Sequence, residues 1–157
     1  TRSTTVTGVQ TCALPICGFK NAAAGADEAL VVTTPEVPSV RDADRIIGML
    51  ESMGKSPIRL IINRFRANMV QDGDMLARED ILDILSINLI GIVPEDDGVI
   101  KSSNRGEPLT FGQNSPAAQA YANIAERLQG RDVPLMELDA GSAWGFLAPI
   151  RRFFGLR

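Results

Sequence analysis

The sequence predicts an α/β fold in which a parallel sheet is flanked by helices in three layers. Three short apolar runs, spaced roughly 30 residues apart, support this prediction: Ala29 to Val32, Leu60 to Ile62 and Leu89 to Val93. Unbroken runs of this kind, rich in β-branched residues, are typical of strands that are covered on both faces. Helix-spaced apolar residues between the runs complete right-handed strand, helix, strand units.

The helices between the strands have recognisable ends. Ser39 is predicted to cap the first helix, with Asp42 completing a capping box, and Gly54 is predicted to end it. Shorter helices are predicted at residues 79–85 and 97–104. Their apolar sides are expected to pack on the sheet.

A last helix is predicted to begin at Ser115, with Pro116 in its first turn, and to end at Gly130. Apolar residues at helical spacing define the side that we expect to be buried. These residues are Ala118, Tyr121, Ile124, Ala125 and Leu128.

Composition and charge limit the class of protein. A length of 157 residues fits one domain, and 45% hydrophobic and 22% charged residues are usual for a soluble globular chain. A net charge of −3 and a pI near 5.0 argue against a broadly basic surface that binds nucleic acid. With no His and two Cys, no metal site is predicted. No transmembrane run or signal peptide is recognised, so a cytoplasmic protein is the default.

Residues 1–17 do not continue into the pattern that follows. They show no helical or strand period, whereas Gly18 to Ala24 have the character of a helix end that precedes Gly25. We interpret residues 1–17 as foreign or disordered sequence joined to a gene segment whose N-terminal half is missing. A flexible N-terminal arm is the alternative, and neither interpretation gives Cys12 and Cys17 a redox role.

Polar side chains at the ends of the predicted strands define a candidate ligand site. Asn63 and Arg64 end the second strand, which is predicted to run from Leu60 to Arg64, and Pro94, Glu95 and Asp96 follow the third. Carboxyl ends of parallel strands meet at one rim, where α/β proteins bind ligands. The residues alone favour a simpler interpretation, in which a turn carries a surface ion pair and Asp96 caps the next helix. No phosphate loop of the type GxxxxGK[ST], no other complete catalytic motif and therefore no catalytic residue is recognised.

The C-terminal residues 143–157 are predicted to form an amphipathic helix on a membrane surface, after a linker at residues 131–142. Pro149 limits the regular helix to about two turns. A helix docked on the domain's own core is the alternative. The predicted membrane contacts combine apolar and positively charged side chains. They are Trp144, Phe146, Leu147, Ile150, Arg151, Arg152, Phe153 and Phe154.

Five sequence strings carry a family resemblance. They are EALVVTTPEVPSVRDADRIIGMLE, LIINR, DMLAREDILDIL, LIGIVPEDDGVIKSSNRGEPL and AAQAYANIAERL. In this order and spacing they resemble the C-terminal half of the ParA/MinD family of deviant Walker A ATPases, in its MinD branch. The resemblance covers residues 18–157. The family's phosphate loop and first switch precede this region, and the Asp-x-Pro-Ala-Gly segment expected before Gly18 is replaced by other sequence.

The resemblance implies a P-loop NTPase-like fold that binds ATP and Mg²⁺. It implies that Asn63 hydrogen-bonds adenine, because an amide both donates and accepts, and that Arg64 covers or stacks on the base. It also implies that Pro94, Glu95 and Asp96 line the adenine pocket, mainly through backbone groups. With the resemblance, adenine binding at the rim is favoured over the simpler interpretation of a turn with a surface ion pair.

The resemblance further implies a role in selecting the site of cell division. It implies an ATPase that forms a homodimer with ATP, recruits MinC, is regulated by MinE and lies peripherally on an anionic surface at the inner face of the cell membrane. Without the phosphate loop, this chain alone is expected not to hydrolyse ATP. Alternatives are a ParA-type partition ATPase, which would need a basic surface for DNA, and an inactive membrane-binding remnant. An iron-sulfur scaffold ATPase would need a CxxC pair, which this sequence lacks.

Overall fold

A computed structural model of the protein describes residues 15–109, 115–136 and 138. The strands in these residues are β1 (Ala29–Thr33), β2 (Ile58–Phe65) and β3 (Asn88–Pro94). The helices are α1 (Pro15–Ala24), α2 (Val37–Ser52), α3 (Ala67–Gln71), α4 (Arg78–Leu85), α5 (Asp97–Arg105) and α6 (Pro116–Leu128).

The three strands form one parallel sheet in the order β1-β2-β3. Val31 of β1 pairs with Leu60 of β2, and Leu60 pairs in turn with Leu89 of β3. The predicted α/β class is therefore confirmed. Because the strands are parallel neighbours, their carboxyl ends lie along one edge, as the sequence predicted.

One face of the sheet is covered by helices from the first part of the chain. Leu60 and Ile62 of β2 are completely buried on this face, together with Ile81 of α4. Side chains of α1, α2 and α4 form a continuous core with them. Its other buried members include Ala23, Val31, Val40, Ala43, Ile47, Leu50, Leu85 and Ile92.

The opposite face is covered over β3 by α6. Ile90 and Val93 are buried there against the alanine-rich side of α6. On β1, however, Leu30 and Val32 remain 44% and 58% exposed among the described residues. The expectation of strands covered on both faces therefore holds for β3 but fails for β1.

The start of α2 differs from the prediction at Ser39. The helix begins at Val37 with Glu36 as its N-cap residue, and Ser39 lies inside the first turn. Pro38 fits there because the first-turn N–H groups have no partner within the helix, so a proline loses nothing. The Ser39 hydroxyl instead accepts a hydrogen bond from Thr34 Oγ1 at 2.9 Å.

The buried side of α6 is also different from the predicted one. Ala117 and Ala120, which were not predicted to be buried, are buried, whereas Tyr121 and Leu128 are 36% and 41% exposed. Ala125, predicted to be buried, is exposed as well, although the predicted Ala118 and Ile124 are buried. Small residues let the helix approach the sheet closely. The alanine side is therefore buried, and the side with larger apolar residues is exposed.

Arg127 joins the end of α6 to the segment that follows. Its guanidinium donates to the carbonyl oxygens of Val133 at 2.7 Å, Pro134 at 2.6 Å and Ile90 of β3 at 2.7 Å. The beginning of the predicted linker is thus bound to the domain. The prediction that residues 131–142 act as a linker remains untested.

Two predicted segments lie mainly outside the described residues. Residues 143–157 are not described, and of residues 1–17 the structure describes only the backbone from Pro15, where α1 begins. Among the described helices, none has the length and apolar character needed to span a bilayer.

Candidate functional site

The strand β2 continues through Asn63 and Arg64 and ends at Phe65. Phe65 is buried and pairs with Pro94, and its carbonyl oxygen accepts the backbone N–H of Glu95 at 3.0 Å. The strand predicted to end at Arg64 therefore extends one residue further, because this pairing lengthens the ladder between β2 and β3. The two polar residues therefore belong to the strand and lie at the carboxyl end of the sheet.

Asn63 and Arg64 form an irregularity of the β-bulge type. Ile62 pairs with Ile92, but the register shifts before the next pair, so that two residues of β2 stand opposite Val93 alone. Arg64 has φ 58°, in the left-handed region, and its backbone N–H donates to Asn63 Oδ1 at 3.0 Å. Bulges often lie beside binding sites because they redirect side chains, and this one turns both residues at the carboxyl end of the sheet.

Glu95 is bound by two arginines, one on each carboxylate oxygen. Arg64 Nη2 donates to Oε1 at 3.0 Å, and Arg66 Nε donates to Oε2. The hydrogen bond from Arg66, followed by that from Arg64, holds the pKa of Glu95 below its ordinary value. The same pairing raises the pKa of Arg66. Glu95 therefore stays ionised at neutral pH, and the two guanidinium groups offset its negative charge.

The Asp96 side chain joins the first turns of two helices. Its Oδ1 accepts the backbone N–H of Gly98 at 2.7 Å, capping α5, and its Oδ2 accepts the N–H of Ala117 at 3.3 Å, in the first turn of α6. Burial favours a higher pKa, but the Gly98 N–H, the Ser115 hydroxyl, the Ala117 N–H and Lys101 together lower the pKa below the ordinary value. The structure thus places the Asp96 side chain in the simpler of the two predicted roles.

Asn63 lies beside the end of β1, in an open groove of about 570 Å³. The polar part of the groove contains Thr33, Thr34, Ser39 and Asp42, and its floor is apolar. No role was predicted for Thr33 or Thr34 from the sequence. Hydroxyl and amide groups over an apolar floor suit a planar ligand that carries hydrogen-bonding edges.

The structure brings together most, but not all, of the predicted site. Asn63 and Arg64 are adjacent on the bulge, and Glu95 is bound to Arg64, while the Asp96 side chain serves the helices instead. Arg66 was missed by the sequence analysis, although its i, i+2 spacing from Arg64 was a signal that both could reach the same side of a strand. Among the described residues, no group of three or more His, Cys, Asp or Glu side chains could hold a metal ion.

Comparison with known proteins agrees with the fold and places it in a family. Residues 3–109 match the family model described as the CobQ/CobB/MinD/ParA nucleotide binding domain. The chain belongs to this family. The match begins within residues 1–17, and the interpretation of those residues as foreign or disordered remains an untested prediction.

Relatives and solved structures narrow the resemblance to MinD. The chain is 50% identical over 141 residues to the septum site-determining protein MinD of Bacillus subtilis, covering 89% of this chain and 52% of that protein. MinD in the MinC:MinD cell division protein complex of Aquifex aeolicus is similar with a TM-score of 0.74 and 48% identity, covering 76% of this chain and 50% of that one. The chain is MinD-like, and its P-loop NTPase-like fold class is confirmed.

A more distant solved structure shows a nucleotide complex. It is the septum site-determining protein MinD of Pyrococcus horikoshii complexed with Mg-ADP, with a TM-score of 0.57 and 26% identity over 66% of this chain and 41% of that one. The present chain spans about half the length of the relatives that it matches.

Proposed function

We propose that this MinD-like chain is the base-binding half of an ATPase that selects the site of cell division. The observation that carries the proposal is the position of Asn63, half-buried on a bulge where the carboxyl ends of β1 and β2 meet. The chain is 50% identical to a septum site-determining protein, and this identity supports a function in division-site selection. The full-length protein, meaning residues 18–157 extended to the length of the relatives, would then bind ATP.

The rim residues fit an adenine base. The Oδ1 atom of Asn63 accepts the Arg64 N–H and retains a second lone pair, and no described residue accepts from its Nδ2. Adenine presents an amino donor beside a ring-nitrogen acceptor, which one amide can satisfy together. Residues 94–96 lie at the end of the neighbouring strand, outside the groove that Asn63 lines, and we propose that their backbone groups contact a second side of the base.

The described residues do not fit Mg²⁺ or the phosphates. They contain no cluster of metal-binding side chains, and the sequence has no GxxxxGK[ST] loop. We therefore assign Mg²⁺ and phosphate binding in the full-length protein to residues outside this half. The chain as it stands is proposed not to hydrolyse ATP, and phosphate release no greater than that of a buffer blank is the expected result.

Partners and location follow from the relatives and from the C-terminal sequence. The Aquifex aeolicus relative forms a complex with MinC, which supports MinC as a partner of the full-length protein. We also propose ATP-dependent homodimerisation, regulation by MinE and peripheral attachment to the inner face of the cell membrane. Residues 143–157, with apolar and arginine side chains, would provide that attachment.

Complementation in cells tests this function. The full-length protein is expected to restore division at the normal site in a Bacillus subtilis strain that lacks its own MinD. Asn63→Ala and deletion of residues 143–157 should each abolish the rescue, whereas the exposed helix substitution Asn104→Ala should not. Failure of the wild-type protein to restore placement, at normal cellular abundance, would contradict the proposal.

A further inference from the structure

Arg66 connects the candidate rim to the segment that follows β2. It is the first residue after the strand, and its Nε donates to Glu95 Oε2. On its other side, its backbone N–H contacts Met75 Sδ at 3.4 Å and its Nη1 contacts Met69 Sδ at 3.7 Å. Arg66 thus contacts the end of β3, the helix α3 and the loop after α3.

The two arginines hold the Glu95 carboxylate in one orientation. Arg64 and Arg66 lie on either side of the buried Phe65, so both extend from the outer side of the β2 end. Each binds a different carboxylate oxygen, and the Glu95 side chain is 26% exposed. Rotation of the carboxylate would break one of these charge-assisted hydrogen bonds.

The Glu95 backbone is held at the same place. Its N–H donates to the Phe65 carbonyl at 3.0 Å, which joins the first residue after β3 to the end of β2. The Arg64 side chain is 61% exposed and extends from a bulge, whereas Arg66 is 46% exposed and also contacts two methionines. Of the two arginines, Arg66 is the one supported by a second segment.

We infer that Arg66 is a positioning residue for the base-binding rim, holding the Glu95 carboxylate on the outer side of residues 94–96. The inference rests on the proposed function, because it assumes that a nucleotide base binds there. With the carboxylate fixed, a base meets the backbone of this loop and the Asn63 amide. Without Arg66, the carboxylate is held by the exposed Arg64 alone and can turn across the backbone of residues 94–96, where it would obstruct the base rather than the phosphates.

Competition binding to the full-length protein tests the inference. A fluorescent ATP analogue is displaced by ATP, GTP or inorganic triphosphate in the wild-type protein and in Arg66→Gln. We expect Arg66→Gln to weaken ATP binding about 2- to 5-fold, as for loss of an exposed ion pair, with a reduced preference for ATP over GTP. Triphosphate binding should not change, and Arg66→Lys, which keeps a charged donor, should bind nearly as the wild type does.

A matched variant and a double mutant separate positioning from general stability. Arg131, which follows the C-terminal end of α6, forms an exposed ion pair with Glu126, so Arg131→Gln should leave every affinity unchanged. Glu95→Gln removes the charge that Arg66 restrains, so adding Arg66→Gln to it should cause no further loss in ATP preference. In Arg66→Gln, NMR titration should show a higher pKa for Glu95 than in the wild type.

The outcomes distinguish this inference from the function on which it rests. If the wild-type protein binds ATP no better than triphosphate, the proposed base site and the role of Arg66 are both overturned. If the wild type prefers ATP and Arg66→Gln retains the full preference, only the inference about Arg66 is overturned. Equal losses for ATP and triphosphate would also overturn it, because they would show a structural role.

Discussion

The Ile124 side chain of α6 lies directly over the backbone of Gly91 in β3. A Cβ atom added to Gly91 would be 2.2 Å from Ile124 Cγ1 and 2.6 Å from Cδ1, closer than real Cβ contacts allow. The helix can therefore approach the sheet only because residue 91 has no side chain. This contact determines which side of α6 is buried.

The first prediction concerns this contact. Gly91→Ala in the full-length protein should lower the free energy of unfolding by about 1–3 kcal/mol, the usual cost of overpacking a core. Gly48→Ala is the matched control, since Gly48 lies in the exposed middle of α2 with nothing within 4 Å of its added Cβ. It should be neutral or stabilise by up to about 1 kcal/mol. Equal effects of the two substitutions in urea unfolding would contradict the close packing.

The second prediction concerns the left-handed backbone of Arg64. Arg64→Gly and Arg64→Val both remove the ion pair with Glu95, but only glycine adopts φ 58° without strain. Arg64→Val should therefore be less stable than Arg64→Gly by about 1 kcal/mol. At Arg59, which lies in a regular part of the same strand, the order should be reversed because strands favour valine. The same order at both positions would be evidence against the bulge.

The third prediction concerns Asp96, whose pKa is lowered in the folded protein. A lowered pKa stabilises the fold above the unfolded value, and this contribution is lost as the pH falls through the folded value. Asp96→Ala should therefore cost about 1–2 kcal/mol at pH 7, as for loss of an N-cap, and the cost should shrink below the ordinary value of 3.8. Urea unfolding measured at pH 7 and at a pH below 3.8 tests this, with Asp42→Asn as an exposed control. A cost that is constant or larger in acid would contradict the assignment.

The sheet was predictable from the sequence because its signal is local. Runs such as Leu60 to Ile62 carry their own burial pattern, and Ser115 and Asp96 are caps that act on neighbouring residues. The buried side of α6 was not predictable in this way. It depends on Gly91, which is distant in sequence, and on alanines that have a weak hydrophobic signal.

Only the part of the rim that has a local sequence signal was predicted. Asn63 and Arg64 were identified because they follow an apolar run, but the bulge that redirects them depends on pairing with Val93 and Pro94. Arg66 was missed because its partner Glu95 is 29 residues away. Sequence spacing alone cannot show which of several arginines reaches a given carboxylate.

The fourth prediction concerns the C-terminal residues. Phe153→Asp, or deletion of residues 143–157, should release the full-length protein from anionic vesicles in a co-sedimentation assay. Each buried large apolar side chain contributes about 1.5–3 kcal/mol and each Arg about 1 kcal/mol, before ordering costs, so one tail binds marginally. Two tails on an ATP-bound dimer should bind much more firmly, and ATP should therefore increase sedimentation.

A matched substitution controls for general effects of a new charge. Ile100 of α5 is 62% exposed in the domain, so Ile100→Asp should leave the full-length protein bound to the vesicles. If the form without residues 143–157 sediments as well as the intact protein, the predicted membrane helix is wrong.

The most direct test of the base-binding rim is the effect of Asn63→Ala on binding of ATP and of inorganic triphosphate. In the full-length protein, the loss of a buried hydrogen bond to the base should weaken ATP binding by about 1–3 kcal/mol. Triphosphate binding should be unchanged, since it involves no base, and Asn104→Ala on the exposed side of α5 should affect neither ligand. Unchanged ATP binding, or equal losses for ATP and triphosphate, would contradict the assignment of Asn63 to the base.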